Sequence, residues 1–456
     1  MILGILLWVV ILFSLYMAFK RPYVFALLYI WLDFFRPQLV APKLFADTQF
    51  TVVAGVLAVI GLIMASPRQM TRLSIDLVLM LSFAALITVT TYFSIFPDSA
   101  WVKWDWAVKA LIFAALLGHF TSDKKQLEAA MLVMISASLG QLLAYGTKTV
   151  VGGGGYSLDL GILGGNTGLG ESSTLAVYCA LLIPIIVFLG KHSVILPDTK
   201  TRLYLSRFLV LITVVTAIGT HARTAILSIS ASLLGISIRR KAAMSFFMIA
   251  ILLGLLTTPI WKSTDWGERM ATTFSYAKDD SAMGRVAVWL WTLELIKDKP
   301  LGGGFTVDRG NEFTIETAGE MGQLTVKGKA FHSIYFEVLG EQGIPGFIIY
   351  FAVVAISVTR LFRIWRSTKR LPNRKWEHEL SYALLTSWAA LLLGGAFVGI
   401  AYLPIMFLMM AFSNALFRIF LARTESEDAE PAAPVYTGKA GISHRQRTFV
   451  KPRVVQ

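Results

Sequence analysis

The chain has 456 residues, 55% of them hydrophobic and 15% charged, with a formal charge of +14 and one cysteine. A soluble domain carries roughly 25% charged residues; here the charges gather into short runs between long apolar stretches, which excludes a soluble globular protein and makes the bilayer the main solvent. The +14 therefore reads as membrane topology and not as a nucleic-acid footprint, and Cys179, alone in an apolar run, sets a disulfide framework or a Cys/His zinc site aside.

In chain order, apolar stretches of about 17 to 22 residues, the length a helix needs to cross the hydrocarbon, fall near 2–19, 22–39, 50–66, 75–95, 104–120, 127–147, 173–190, 206–221, 222–238, 243–261, 344–362, 379–399 and 402–421. Asp33, Arg36 and Pro37 interrupt the second, and Lys103, Asp105 and Lys109 make the start of the fifth amphipathic, so twelve or thirteen spans are expected. The first has no basic stretch ahead of it and is followed by Lys20 and Arg21, the wrong polarity for a cleavable signal peptide, and is expected to be retained. This predicts an all-α integral membrane protein in four parts: transmembrane helices over 1–262, a large outer loop with short helices over 263–343, further transmembrane helices over 344–421 and a disordered inner tail over 422–456.

Lys and Arg are retained on the cytoplasmic side of short loops. Lys191, Lys200, Arg202 and Arg207 mark one such loop, Arg239, Arg240 and Lys241 a second, and Arg360 to Lys375 a third. Counting alternately from them brings the Gly-rich stretch 151–170, the turn from His221 to Arg223 and segment 263–331 together on the outer face. Within that segment, 283–296 reads as a helix with Val286, Trp289, Leu290 and Leu293 on one face, ended by Lys297, Asp298 and Pro300 and followed by Gly302, Gly303 and Gly304. A second short helix is expected from His332 to Gly340, with Phe331, Ile334, Tyr335, Val338 and Leu339 as its apolar stripe.

A polar residue beside a membrane is costly unless it is paired, faces a cavity or works. Arg223, at the outer junction of two apolar segments, Arg285, at the start of the loop helix, and His332 stand out on that ground. Guanidinium groups bind phosphate oxygens bidentately without a metal, and histidine takes a proton near neutral pH. Simpler readings stand beside each: Arg223 snorkelling to lipid phosphates, Arg285 paired with Asp279 or Asp280, His332 as a satisfied interface residue. Gly152–Gly155 and Gly164–Gly170 read as a flexible loop, because no strand precedes them and no Gly-Lys-Ser/Thr follows. Trp101, Trp104 and Trp106 read as an interfacial aromatic belt. No Walker motif, Gly-x-Ser-x-Gly elbow or His-Glu-x-x-His is present, so any activated donor must carry its own leaving group.

At these residues the sequence resembles the bacterial O-antigen ligase and O-antigen polymerase superfamily. The resemblance rests on Arg223 in Thr220-His221-Ala222-Arg223-Thr224-Ala225, on Arg285-x-x-x-Trp289 leading through Lys297-Asp298-Lys299-Pro300-Leu301-Gly302-Gly303-Gly304-Phe305, and on His332-Ser333-Ile334-Tyr335 leading to Glu341-Gln342-Gly343-Ile344-Pro345-Gly346. The N-terminal part, with Arg21-Pro22-Tyr23-Val24 and Trp101-Val102-Lys103-Trp104-Asp105, is similar to a branch of cell-surface polysaccharide polymerases or ligases that includes exosortase-associated O-glycosylation ligases. The resemblance implies a GT-C-like membrane glycosyltransferase of the bacterial inner membrane that works on the periplasmic side without cofactor or metal. It would move a glycan from undecaprenyl diphosphate to an acceptor, with Arg223 and Arg285 on the diphosphate and His332 as the base. A lipid A core oligosaccharide is the favoured acceptor, since a helical shell open to two lipid substrates suits ligation; a growing glycan or a protein are the alternatives, and a transporter or flippase a further one. Membrane lipids and no nucleic acid complete the expected partners.

Overall fold

A computed structural model of the chain describes residues 2–37, 41, 45, 50–66, 73–152, 154, 169–239, 280–316 and 323–429. It is an all-α integral membrane protein. Its helices are α1 (Ile2–Lys20), α2 (Tyr23–Phe35), α3 (Phe50–Ala65), α4 (Ile75–Tyr92), α5 (Pro97–Phe120), α6 (Lys124–Gly152), α7 (Ser172–His192), α8 (Lys200–Gly219), α9 (Arg223–Ile238), α10 (Asp280–Asp298), α11 (Ile334–Thr368), α12 (Lys375–Gly395) and α13 (Pro404–Ala429). Among the described residues six of these are long and apolar enough to cross a membrane, namely α4, α6, α7, α8, α11 and α13. The span expected at 243–261 lies outside the described residues.

A helix that is apolar all round belongs in the centre, and α7 fits: 89% of its most apolar window is buried. It packs against α8, α9 and α12, while α2 lies on α3, α5 on α13, and α4 on α5 and α11. Pro184 inside α7 removes one helix amide; Ser232 of α9 donates to the Ala180 carbonyl four residues earlier at 2.6 Å, which ties the two helices together there. The expected second span is shorter in the structure. Arg36 turns left-handed at φ 49° and donates its amide to Leu32 at 3.0 Å, because Pro37 disfavours helix at the residue before it. The resulting 13 residues make about 20 Å of helix, less than the roughly 30 Å hydrocarbon core.

The three basic segments meet at one end of the bundle. Lys191, Arg239 and Lys375 line one cavity there, and Arg239 pairs with Glu379 at 2.7 Å. Buried Glu128 accepts from Ser193 Oγ, from the Val194 and Ile195 amides and from Trp376 Nε1, so one carboxylate joins the starts of α6 and α12 to the end of α7. Glu377 takes Lys124 at 3.0 Å and Arg423 at 2.7 Å, and Arg360 of α11 bonds Asp76 of α4. This network also moves a boundary. Residues 422–429, expected in the tail, continue α13 to Ala429 with Arg423 on Glu377 and Glu427 on Arg374 at 2.7 Å, and the rest of the expected tail lies outside the described residues. At the other end lie α10 and an antiparallel hairpin of β1 (Glu312–Glu316) and β2 (Gln323–Lys327), which the all-helical reading did not contain.

Candidate active site

The two helices expected at 332–340 and from 344 form one long element broken at Gly343, whose φ of 65° and ψ of −168° are not helical. The break leaves carbonyls without their usual donors, and Pro345 has no amide to give to Glu341. The segment Pro300–Gly304 fills them. Gly303 N–H donates to the Gly340 carbonyl at 2.9 Å, Gly304 N–H to Glu341 at 3.0 Å, and Ile344 N–H to Pro300 at 2.9 Å. Glycine is required on both sides: a Cβ on Gly302 would lie 2.5 Å from the Gly343 nitrogen, and one on Gly343 2.3 Å from the Leu301 carbonyl carbon. Two motifs separated by some forty residues are thus one hydrogen-bonded joint.

Below the joint, half-buried Lys103 of α5 donates to Glu337 at 2.8 Å and to Glu341 at 2.9 Å. Glu341 also accepts the Thr306 amide and Glu337 the Ala401 amide, each at 3.0 Å. The Lys103 ammonium sits over the Tyr402 ring, 4.8 Å from its centre. Burial pushes the nearby Asp308 carboxyl up, with Lys103 opposing and Glu337 reinforcing the shift. The sequence signal was Glu337 and Glu341 one turn apart in an apolar stretch; Glu341 and Lys103 entered the reading only as members of the quoted motifs, and Lys103 also as a charge that makes the start of a span amphipathic.

Arg285 and His332 come together above this cluster. Trp289 lies one turn after Arg285 on the same helix face; its indole N–H donates to the Phe331 carbonyl at 2.9 Å, and its ring stacks on Phe336 at 5.1 Å and 4°. Val288, Val307 and Phe331 close the small core beneath. This docks α10 onto the residue before His332 and brings the Arg285 guanidinium into electrostatic range of the imidazole. The hairpin adds a third group. Asn311 bonds both Lys329 backbone groups, at 2.7 and 2.9 Å, and the Lys329 ammonium rests against Gly284. Glu171, which caps the start of α7 by accepting the Thr174 amide at 3.1 Å, contributes the opposing charge.

His332 is backed by strain. Its φ of 48° is left-handed, as are those of His221 (52°) and Thr306 (61°), a conformation that costs a non-glycine residue roughly 1–2 kcal/mol and gathers at functional sites. Burial, with Arg285 next and Lys329 also acting, holds the imidazole below its ordinary value against the upward pull of Glu171 and Glu337. Among the described residues, neither ring nitrogen of His332 is hydrogen-bonded and no carboxylate pairs with Arg285, whose buried Nε has no partner. The alternative pairing with Asp279 or Asp280 falls on side chains outside the described ones.

Arg223 is the first residue of α9, half-buried and engaged with neighbours. Ser228, further along the same helix, touches Gly394, and the adjacent Gly395 touches Ile334 at the start of α11. Arg223 is therefore at the same end of the bundle as the pair, but no described contact joins it to Arg285 or His332. Most of the Gly-rich stretch 151–170 lies outside the described residues. Trp101 and Trp106 are exposed as a belt requires, whereas Trp104 donates to Thr88 at 2.9 Å. Among the described residues no three His, Cys, Asp or Glu side chains converge to hold a metal.

Residues 208–351 match the family profile described as O-antigen ligase, and residues 2–194 match a family of unknown function, DUF5935. The O-antigen ligase match holds Arg223, Arg285 and His332 together with Glu337 and Glu341; the other holds Lys103 and Glu171. No curated protein matches the chain significantly. The O-antigen ligase match covers 144 of the 456 residues and agrees with the resemblance that the motifs carry.

Proposed function

We propose that the chain is an O-antigen ligase of the bacterial inner membrane, which transfers a glycan from undecaprenyl diphosphate to a lipid A core oligosaccharide on the periplasmic face, with inversion and without a metal. One observation carries the reading: burial and the Arg285 guanidinium lower the proton affinity of the His332 imidazole, and that arginine has no ion-pair partner among the described side chains. A neutral imidazole accepts a proton, and a guanidinium awaiting an anion suits a diphosphate.

In this mechanism Arg285, with Arg223 from the same end of the bundle, holds the donor diphosphate. The acceptor hydroxyl attacks the anomeric carbon while its proton passes to His332. The new glycosidic bond forms as the old bond to phosphate oxygen breaks, and undecaprenyl diphosphate leaves with the electron pair. The charge that develops on the leaving oxygen is met by preorganised guanidinium groups in a partly dry site. The positive-inside rule supports the orientation, since the basic segments share the end opposite His332.

Expression in a ligase-deficient strain and, separately, a polymerase-deficient strain, with the polysaccharide ladder read on a gel, tests the reading. Restored core capping in the first is expected. Restored chain length in the second alone transfers the assignment to polymerisation, and rescue of neither, with transfer to a protein acceptor, to O-glycosylation.

A further inference from the structure

The end of the bundle opposite His332 contains an open cavity of about 300 Å³ lined by α7, α9 and α12. Its rim carries three cations, Lys191, Arg239 and Lys375, against one carboxylate, Glu379. Deeper in, Val187, Ile236 and Ala383 form the wall. Polarity therefore falls in the same direction on all three helices, and from Lys375 to Thr386 of the lining the wall covers about 16 Å of helix. That runs from the headgroup layer well into one leaflet.

The walls are fixed before any ligand arrives. Ser232 clamps α9 to α7 through the Ala180 carbonyl at 2.6 Å, and Tyr382 of α12 donates to the Gly235 carbonyl of α9 at 2.5 Å. Arg239 is held over the Tyr382 ring, 4.7 Å from its centre. A small free anion would use only the rim. A phosphodiester with an attached acyl chain matches both zones, and basic pockets between helices are a known physical solution for such headgroups. We propose that this cavity binds an anionic membrane phospholipid, its phosphate at Lys191, Arg239 and Lys375 and one acyl chain along Val187, Ile236 and Ala383.

The test is native mass spectrometry of the detergent-purified full chain titrated with dioleoyl phosphatidylglycerol, dioleoyl phosphatidylcholine or inorganic phosphate. Tighter binding of phosphatidylglycerol than of phosphatidylcholine is expected. Removing a surface cation weakens anionic lipid binding about fivefold, so the double variant Lys191→Gln/Lys375→Gln should lose roughly 25-fold for phosphatidylglycerol and little for phosphatidylcholine. Lys297→Gln, exposed on α10, should change nothing. Val187→Phe fills the apolar end and should weaken the lipid with every charge in place, which keeps the proposal testable if the double variant does not fold. Equal affinity for the two lipids, or an unchanged Val187→Phe variant, overturns it; millimolar phosphate displacing the lipid while Val187→Phe binds normally identifies a free-phosphate site instead.

Discussion

At the basic end of the bundle Glu128 accepts from four donors, three in the loop after α7 and one on α12, and Glu377 is shared by Lys124 and Arg423. At the loop end Arg285 and Lys329 both act on the His332 imidazole, no described carboxylate pairs with Arg285, and His332 holds a left-handed backbone with no hydrogen bond from a described residue. Both ends carry charge next to a membrane, where an unpaired charge is expensive. The first spends Glu128 and Glu377 on closing helix to helix. The second leaves cationic groups facing one another, which lowers stability and is tolerated where a ligand supplies the missing anion. Between the ends, the Lys103, Glu337 and Glu341 cluster does for the loop end what Glu128 does for the basic end: it fixes the backbone from which His332 projects.

If that contrast is right, substitutions at the loop end should change rate and those at the basic end should change stability. The largest effect is expected at His332. His332→Ala should lower transfer about 10²- to 10⁴-fold, the usual range for a proton-transfer group, while binding of the lipid diphosphate stays nearly intact. A gel shift of the acceptor with purified protein measures the first and donor co-purification the second; a chelator should have no effect. Robust turnover by His332→Ala would return that residue to a packing role.

Arg285→Ala should follow, with a loss of about 10²- to 10³-fold in turnover, the range seen when a group stabilising developing charge is removed. Arg285→Lys should recover only part of it, because an ammonium cannot make the bidentate contact. Arg223 should behave likewise if it shares the diphosphate. A normal rate in Arg223→Ala, with Arg285→Ala impaired, would assign the phosphates to Arg285 and Lys329 and leave Arg223 as a lipid-facing residue.

Much of this was legible in residue order because membrane spans are long, apolar and punctuated by charge. The ends of α3, α7, α9 and α12 fall within about four residues of the hydropathy boundaries, and the basic segments sort to one end as charge bias implied. Charge bias also put Arg223, Arg285 and His332 on one face in advance, each with a simpler reading beside it. What could not be read was long-range satisfaction. Nothing local says that Gly303 and Gly304 will occupy carbonyls opened by Gly343 and Pro345, or that Lys103 will reach Glu337 across more than two hundred residues. The hairpin was missed for another reason: Phe313 with Ile315 and Leu324 with Val326 alternate with period two, a signal outweighed by the surrounding helical stripes.

The matching change at the basic end is Glu128→Gln. It removes the charge from a carboxylate that accepts from Ser193, two backbone amides and Trp376, and hydrogen bonds to charged groups contribute about 1.5–3 kcal/mol. Thermal unfolding in detergent should shift down correspondingly, with transfer per folded molecule unchanged. A loss of rate at unchanged stability would show that the two ends are coupled.

The smallest expected effect is the most discriminating, since it concerns the sign of a shift. Burial and Arg285 hold the His332 imidazole below its ordinary value, so the rate should fall on acidification with a midpoint below the reference of about 6.5. Because the folded state binds its proton less readily than the unfolded chain, stability should also be lost as pH drops below about 6.5. Arg285→Gln removes a positive neighbour, makes protonation easier and should move the acid limb of the residual rate up. Glu171→Gln removes a negative neighbour while leaving an oxygen to cap α7, and should move the limb down. Rate profiles from pH 4.5 to 8 for the three proteins decide it. Shifts of opposite sign assign the limb to His332; shifts of the same sign, or none, assign it to another group and remove the proton-transfer role.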